Sequence, residues 1–231
     1  MRKMKNYFEV YYSWINKNFN INNYSKIVMR NIGSYLDKKH NILDIGCGCG
    51  YLLKVLENSG FKNLTGVEID KGQFLNCKKI LKNSKLYNMD IINFFKKINK
   101  KFNVIIAFDL IEHLPKNKIL YFIELVYKHL ENDGLFIIRI PNADCFFTAS
   151  RMRYMDFTHE TSFNSESIKA FLIQANFKLN NIKTYPRKGN IINDLIKNFF
   201  DFFIKIYLIL YVGRDALRLI FTPNFLVIAK K

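Results

Sequence analysis

Three glycines alternate at positions 46, 48 and 50, directly after the apolar run Asn41–Ile45, and an acidic residue, Asp44, precedes the first of them by two. A short strand passing through such a turn into a helix is the entry to an α/β sheet of the dinucleotide-binding kind. Downstream, Leu64–Ile69, Leu86–Met89, Phe102–Phe108 and Gly134–Ile140 read as further strands, with helical stretches at Cys49–Ser59, Lys71–Lys82 and Lys116–Leu130. Short apolar runs alternating with helices predict βαβ units and a parallel sheet with helices on both faces. The nearly continuous apolar runs at 102–108 and 134–140 predict strands buried on both sides.

The flanks are less regular. Residues 1–40 read as a helical cap in two pieces, one carrying Tyr7, Phe8, Tyr11, Tyr12 and Trp14, the other running from Tyr24 to Leu36. After the core at 41–141, the polar stretch from Asn142 to Phe163 has no periodicity, and a loop this long in a compact domain is usually functional. Ser165–Asn176 predicts a helix with Ser165 as its N-cap. Phe177–Tyr185 and Asn224–Ala229 predict the last two strands, separated by an apolar helical insertion at 186–223. The whole, 1–231, is expected to be one domain, the last strand being 224–231.

Asp44 decides between ligands. A carboxylate at the end of the first strand would repel the pyrophosphate of NAD or FAD, which wants bare helix N–H groups. It suits a ligand whose nearby end is cationic. Glu68 ends the second strand 22 residues after Gly46, where an acid meets ribose hydroxyls, and Asp90 ends the third, where a carboxylate can accept from an adenine amino group.

With these residues in view, the chain resembles the class I S-adenosylmethionine (SAM)-dependent methyltransferases. Asn41-Ile-Leu-Asp-Ile-Gly-Cys-Gly-Cys-Gly50 is similar to their first motif and Gly66-Val-Glu-Ile-Asp70 to their second. Phe102-Asn-Val-Ile-Ile-Ala-Phe-Asp-Leu-Ile-Glu-His-Leu-Pro115 resembles their fourth-strand motif, and Leu130-Glu-Asn-Asp-Gly-Leu135 the turn before strand five. The resemblance covers about 41–141. It implies a Rossmann-like seven-stranded sheet with the last strand antiparallel, SAM as cofactor and S-adenosylhomocysteine (SAH) as product. It also implies methionine-carboxylate and ribose contacts at Gly46, Gly48 and Glu68. Asp44, Cys47, Gly50, Ile69, Asp90, Ile91, Phe108 and Asp109 complete the expected cofactor lining.

A hydroxyl acceptor must lose a proton, and histidine is the usual agent near neutral pH. Of four histidines, His113 follows Asp109 and Glu112 in the turn after strand four, and His159 lies in the irregular loop. Tyr154-Met-Asp-Phe-Thr-His-Glu160, continuing into Phe163, is similar to a pattern in bacterial methyltransferases encoded with surface-glycan (polysaccharide) biosynthesis genes. His159 is therefore the first candidate base and His113 the second. Arg151, Arg153, Tyr154 and Asp156 are candidate acceptor contacts, the arginines as clamps for a phosphate or carboxylate.

The formal charge of +17 invites a nucleic-acid reading. Only eight of the 36 basic residues are arginine, and the lysines are scattered, so a nucleic-acid partner is not expected. Cys47, Cys49, Cys77 and Cys145 have neither disulfide-framework nor zinc spacing, and no metal is expected. In the insertion, Asp194, Lys197, Asp201 and Lys205 fall on one helical stripe amid Phe, Ile, Leu and Tyr. No uncharged run reaches bilayer-spanning length. The segment 191–221 could meet a membrane interface or a second copy of the chain. The expected activity is O-methylation of a small or glycan-linked acceptor, phosphorylated or lipid-carried, in the cytoplasm or peripheral to the inner face of the membrane. A quinone-like lipid precursor is the alternative acceptor. From another class, an RNA-binding methyltransferase or a non-catalytic SAM-binding protein is the alternative.

Overall fold

The structure, a computed structural model, describes residues 19–145 and 147–231. The first helical piece expected around Tyr7–Trp14 lies outside the described residues. The second is α1 (Ile21–Ile32), capped by Asn20, whose side chain accepts from the backbone N–H groups of Asn22 and Asn23 at 3.0 and 3.1 Å.

Seven strands form one sheet: β1 (Ile42–Ile45), β2 (Leu64–Glu68), β3 (Lys85–Asn88), β4 (Phe102–Phe108), β5 (Leu130–Pro141), β6 (Ile182–Pro186) and β7 (Asn224–Lys230). Their order is β3-β2-β1-β4-β5-β7-β6, with β7 antiparallel to both neighbours and the rest parallel. The sequence order reverses beside β1, between β1 and β4, and the crevice at such a switch point is where open α/β sheets bind ligands. Helices α2 (Tyr51–Asn58) and α3 (Lys71–Ile80) cover one face together with α1. On the other face lie α4 (Ile91–Lys97), α5 (Lys116–His129) and α7 (Ser165–Gln174). Each face has its own core, around Leu53, Leu56 and Ile106 on the first and Phe94, Phe122 and Phe136 on the second.

Several boundaries differ from expectation for physical reasons. Helix α4 occupies a stretch assigned no element: its Ile91-Ile92 start argues against a helix locally, but Phe94 and Phe95 are buried under the sheet and Asp90 caps it. Asn164, not Ser165, is the N-cap of α7; its side chain accepts from Ser167 N–H at 2.9 Å, and Ser167 Oγ accepts from Asn164 N–H at 3.0 Å. Ser165 is buried instead. The strand expected from Phe177 begins only at Ile182, because a 3₁₀ turn at Leu179–Asn181 precedes it. Part of the irregular loop is helical, as α6 (Ala149–Tyr154).

The insertion is α8 (Ile191–Val212) followed by a 3₁₀ segment, Gly213–Arg218. None of its 22 residues is buried. The charged stripe is the shielded side: the side chains of Asp194 and Asp201 are each 19% exposed, while Phe199 and Leu210 are 60% and 80% exposed as residues. Asp194 pairs with Arg30 of α1 at 2.7 Å and Lys197 pairs with Asp201. A helix at a protein–water boundary normally hides its apolar stripe. This one is turned the other way. No helix among the described residues is long and apolar enough to cross a membrane.

Candidate active site

Strand β1 ends by driving Asp44 into the interior, and the glycine turn then bends back under α2. Gly46 adopts φ 66°, and a Cβ there would stand 2.9 Å from Leu110 Cδ1. Gly48 adopts φ 54°, and its Cβ would meet Gln73 Oε1 at 2.9 Å. Both positions demand glycine on conformation and on space. Glu68, at the end of β2, clasps the turn: one carboxylate oxygen accepts Gly48 N–H and the other Asp70 N–H, each at 2.8 Å. Burial nonetheless raises its pKa, against the lowering effect of those two bonds.

Two contiguous cavities open beside this turn and share Gly46, Gly48, Gln73 and Asp109. One, of about 290 Å³, runs between β2 and β4 and is lined by Glu68, Ile69, Asp90, Ile91, Leu110 and His113 among others. The other, of about 310 Å³, runs toward α1 and takes in Asp44, Cys47, Phe108 and Arg139, under Phe19, Tyr24 and Tyr51. Phe19 stacks on Tyr51 at 4.0 Å between ring centroids. All eleven cofactor candidates except Gly50 line one cavity or the other. Gly50 sits behind them at φ 81°, against Cys77.

The electrostatics are specific. Asp44 is 2% exposed and its Oδ2 has no hydrogen-bond partner. Burial, reinforced by Glu68 and partly offset by Arg139, pushes its pKa up to about 8. Gln73 Oε1, also buried, has no partner either. Two residues lining the cavities thus carry an unpartnered buried oxygen, and buried polar atoms of this kind are costly unless a ligand pairs with them. Asp90 is double-purposed: Oδ1 caps α4 by accepting from Ile92 and Asn93 at 2.9 and 3.2 Å, while the residue lines the cavity.

Arg139 on β5 went unnoticed in the sequence. Its Nε donates to Asp109 Oδ1 at 3.0 Å and its Nη2 to Oδ2. The guanidinium lies 4.5 Å from the Phe108 ring centroid. Asp109 takes the left-handed backbone conformation, φ 50°, rare for a residue with a Cβ. The one available signal was a single arginine inside the otherwise apolar run Gly134–Ile140.

That turn leads into the 3₁₀ segment Ile111–His113, against which the loop after α6 docks. Glu160 N–H donates to Glu112 O at 2.8 Å, closing 48 residues of chain. The docking brings His113 and His159 to 4.7 Å between ring centroids. His159 Nδ1 faces Met152 O at 2.8 Å, and a carbonyl can only accept, so Nδ1 carries the proton. His113 Nδ1 lies 2.8 Å from Thr158 Oγ1, whose hydroxyl donates to Asp156 Oδ1 at 2.7 Å. Burial, with His159 next, lowers the pKa of His113. Glu112 is 1% exposed and neither of its oxygens is hydrogen-bonded by another residue; burial, with Asp109 next, holds its pKa well above the carboxylate range.

The acceptor-side candidates separate. Asp156 is buried and supports Thr158, and so indirectly His113. Arg153 donates through Nη1 to His159 O, holding the loop. Arg151 and Tyr154 are exposed on α6.

A family model described as "Methyltransferase domain" matches residues 16–181, well over half of the chain. Among solved structures, a SAM-dependent methyltransferase from Archaeoglobus fulgidus superimposes with TM-score 0.71 at 21% identity, covering 96% of this chain and 100% of its own. A S-adenosylmethionine-dependent methyltransferase from Clostridium acetobutylicum does so with TM-score 0.60 at 16% identity, covering 96% of each. The plantazolicin methyltransferase BpumL, solved with a monoazolic desmethyl analogue and SAH, has TM-score 0.61 at 15% identity, covering 100% of this chain and 96% of its own. At these identities the likeness is one of fold.

Proposed function

The chain belongs to the methyltransferase domain family, and from that premise we propose that it takes a methyl group from SAM and places it on an oxygen of a small or glycan-linked acceptor. The observation that carries the cofactor half is Asp44: a buried carboxylate with a free Oδ2 at the end of a glycine turn complements an ammonium and a sulfonium, and repels a pyrophosphate. Gln73 Oε1 and Glu68 are acceptors for ribose hydroxyls, and Asp90 for an exocyclic amine. Bound SAM supplies an activated methyl group on a positively charged sulfur.

The chain's own contribution is positioning and proton removal. Transfer is an in-line displacement: the acceptor oxygen's electron pair forms the C–O bond while the S–CH₃ pair stays on sulfur, so alignment supplies much of the rate. His113 lines the cavity and His159 stands behind it. With Nδ1 protonated against Met152 O, His159 keeps Nε2 as the lone pair that can take the acceptor's proton. The test is an acceptor screen read out as SAH, with phosphorylated sugars, lipid-linked sugars and a quinol precursor as separate arms. If only the quinol is methylated, the glycan reading falls. Structured RNA serves as the arm for the reading that the basic surface would favour, and salt-sensitive methylation of it alone would overturn a small acceptor.

Asp44 gives a sharper expectation. Its pKa stands at about 8 in the ligand-free protein against 3.8 ordinarily, so the folded chain holds a proton the unfolded chain releases, and stability falls as pH rises through that window. An ammonium beside it favours the ionised form. SAM binding at pH 6.5 should therefore release close to one proton, seen as a calorimetric enthalpy that changes with buffer ionisation enthalpy. Asp44→Asn should abolish the release. A buffer-independent enthalpy in the parent would detach Asp44 from the ammonium.

The outward apolar face of α8 favours an acceptor met at a membrane surface. Its exposed Phe, Ile and Leu suit an interface, and the formal charge of +17 suits anionic headgroups. Phe199, Phe203 and Leu210 are 60%, 53% and 80% exposed. Replacing all three by serine should abolish flotation with vesicles of anionic phospholipid and leave SAM affinity unchanged. A parent chain that ignores such vesicles, or that light scattering shows as a dimer dissociated by the triple variant, would replace the membrane with a second copy of the chain.

A further inference from the structure

Glu112, His113 and His159 form the densest group of potential ligands among the described residues. One ligand atom from each lies within 4.8 Å of the other two. We propose that these three side chains form a binding site for a divalent first-row transition-metal ion at the acceptor end of the cofactor cavity.

Three independent features converge. Glu112 is 1% exposed, yet no other residue hydrogen-bonds either of its oxygens. A buried carboxyl left so is incomplete, and a cation between it and the imidazoles completes it. The imidazoles are already oriented in the manner of ligands. Metal-bound histidines usually direct the other ring nitrogen to a carbonyl or a carboxylate, which fixes the ring and leaves one lone pair for the ion. His159 Nδ1 is held by Met152 O, and His113 Nδ1 by Thr158, itself bonded to buried Asp156. Both rings therefore leave Nε2 as the nitrogen available to an ion. Two imidazoles and one carboxylate form a set that suits zinc, iron and their neighbours better than magnesium or calcium, which prefer all-oxygen shells. Ligands of one ion stand at most about 4.2 Å apart when each is about 2.1 Å away, so a small contraction of the cluster suffices.

Three protein ligands leave coordination positions open. A hydroxyl bound there is acidified by the ion and gives its proton to solvent, after which its oxygen attacks the methyl carbon as described above. With the ion bound, it takes over from His159 Nε2 the task of freeing the acceptor's proton. In the metal-free chain His159 is the base described above, and loss of His159 removes the function in either form. The consequence for catalysis rests on the oxygen-acceptor reading; the binding of the ion does not.

The test uses the full chain, stripped with a chelator and titrated with Co²⁺ alone. One equivalent should bind with visible d–d absorption, Zn²⁺ should displace it, and Glu112→Gln and His159→Gln should each weaken binding by at least tenfold. SAH affinity, measured on the same samples, should be unchanged, which shows that the variants are folded and keeps failure of this site distinct from failure of the methyltransferase reading. X-ray absorption of the Co²⁺-loaded parent needs no variant, and should show imidazole and oxygen without sulfur. No Co²⁺ uptake, uptake indifferent to both substitutions, or sulfur ligation from the cysteines near the glycine turn would each overturn the proposal.

Discussion

Replacing His159 by alanine is expected to lower turnover by roughly 10²–10⁴-fold with SAM affinity nearly intact, the span usual for loss of a positioned general base. The size follows from what the ring does at that point. Its Nδ1–H is fixed on Met152 O, so Nε2 is the nitrogen left to take a proton, and His113 is the imidazole beside it. Cofactor affinity should survive because His159 lines neither cavity beside the glycine turn, whereas His113 does. Single-turnover rates and calorimetry with SAH separate the two quantities. An unchanged rate would transfer the role to His113, or show that the acceptor needs no base.

The second large effect concerns the cofactor. Glu68→Ala should weaken SAM binding by about 1–3 kcal/mol, the cost of losing a charged hydrogen bond to a ribose hydroxyl. The alanine also strips Gly48 N–H and Asp70 N–H of their acceptor, loosening the turn that must approach the ligand closely. Glu68→Gln keeps an acceptor and should lose less. Tight NAD binding by the parent, with no SAM signal, would defeat the assignment of the cavity altogether.

The sheet was legible because its central strands are buried on both faces, and such strands write themselves as unbroken apolar runs, as at 102–108. The grouping of the acids was legible for a related reason: strand ends at a switch point are close in space, so positions 44, 68 and 90 could be put together without knowing any contact, and all three line the two cavities. Elements decided by distant packing were not. Helix α4 begins with two β-branched residues and is held by Phe94 and Phe95 under the sheet. Asn164 and Ser165 are both good caps, and only the burial of Ser165 chooses between them. Arg139 hid in the apolar run Gly134–Ile140, and its meaning depends on Asp109, 30 residues away. Glu112, His113 and His159 were visible as letters, but what makes them a group is the docking of two loops no local pattern connects, through Glu160 and Thr161 N–H on Glu112 O and His113 on Thr158.

Helix α1 has a double attachment. Near its start, Tyr24 lies over the end of the cavity that holds Asp44 and interacts with Arg139. Six residues on, Arg30 is tied to Asp194 and to Gly189 O at 2.7 and 2.5 Å, and Asn31 exchanges two hydrogen bonds with Lys188, each 2.8 Å. About 9 Å of rigid helix joins the two ends. The cover over the Asp44 end of the cavity and the root of the outward apolar helix are thus one lever. A displacement of the root of α8 is therefore carried along α1 to Tyr24, above Asp44.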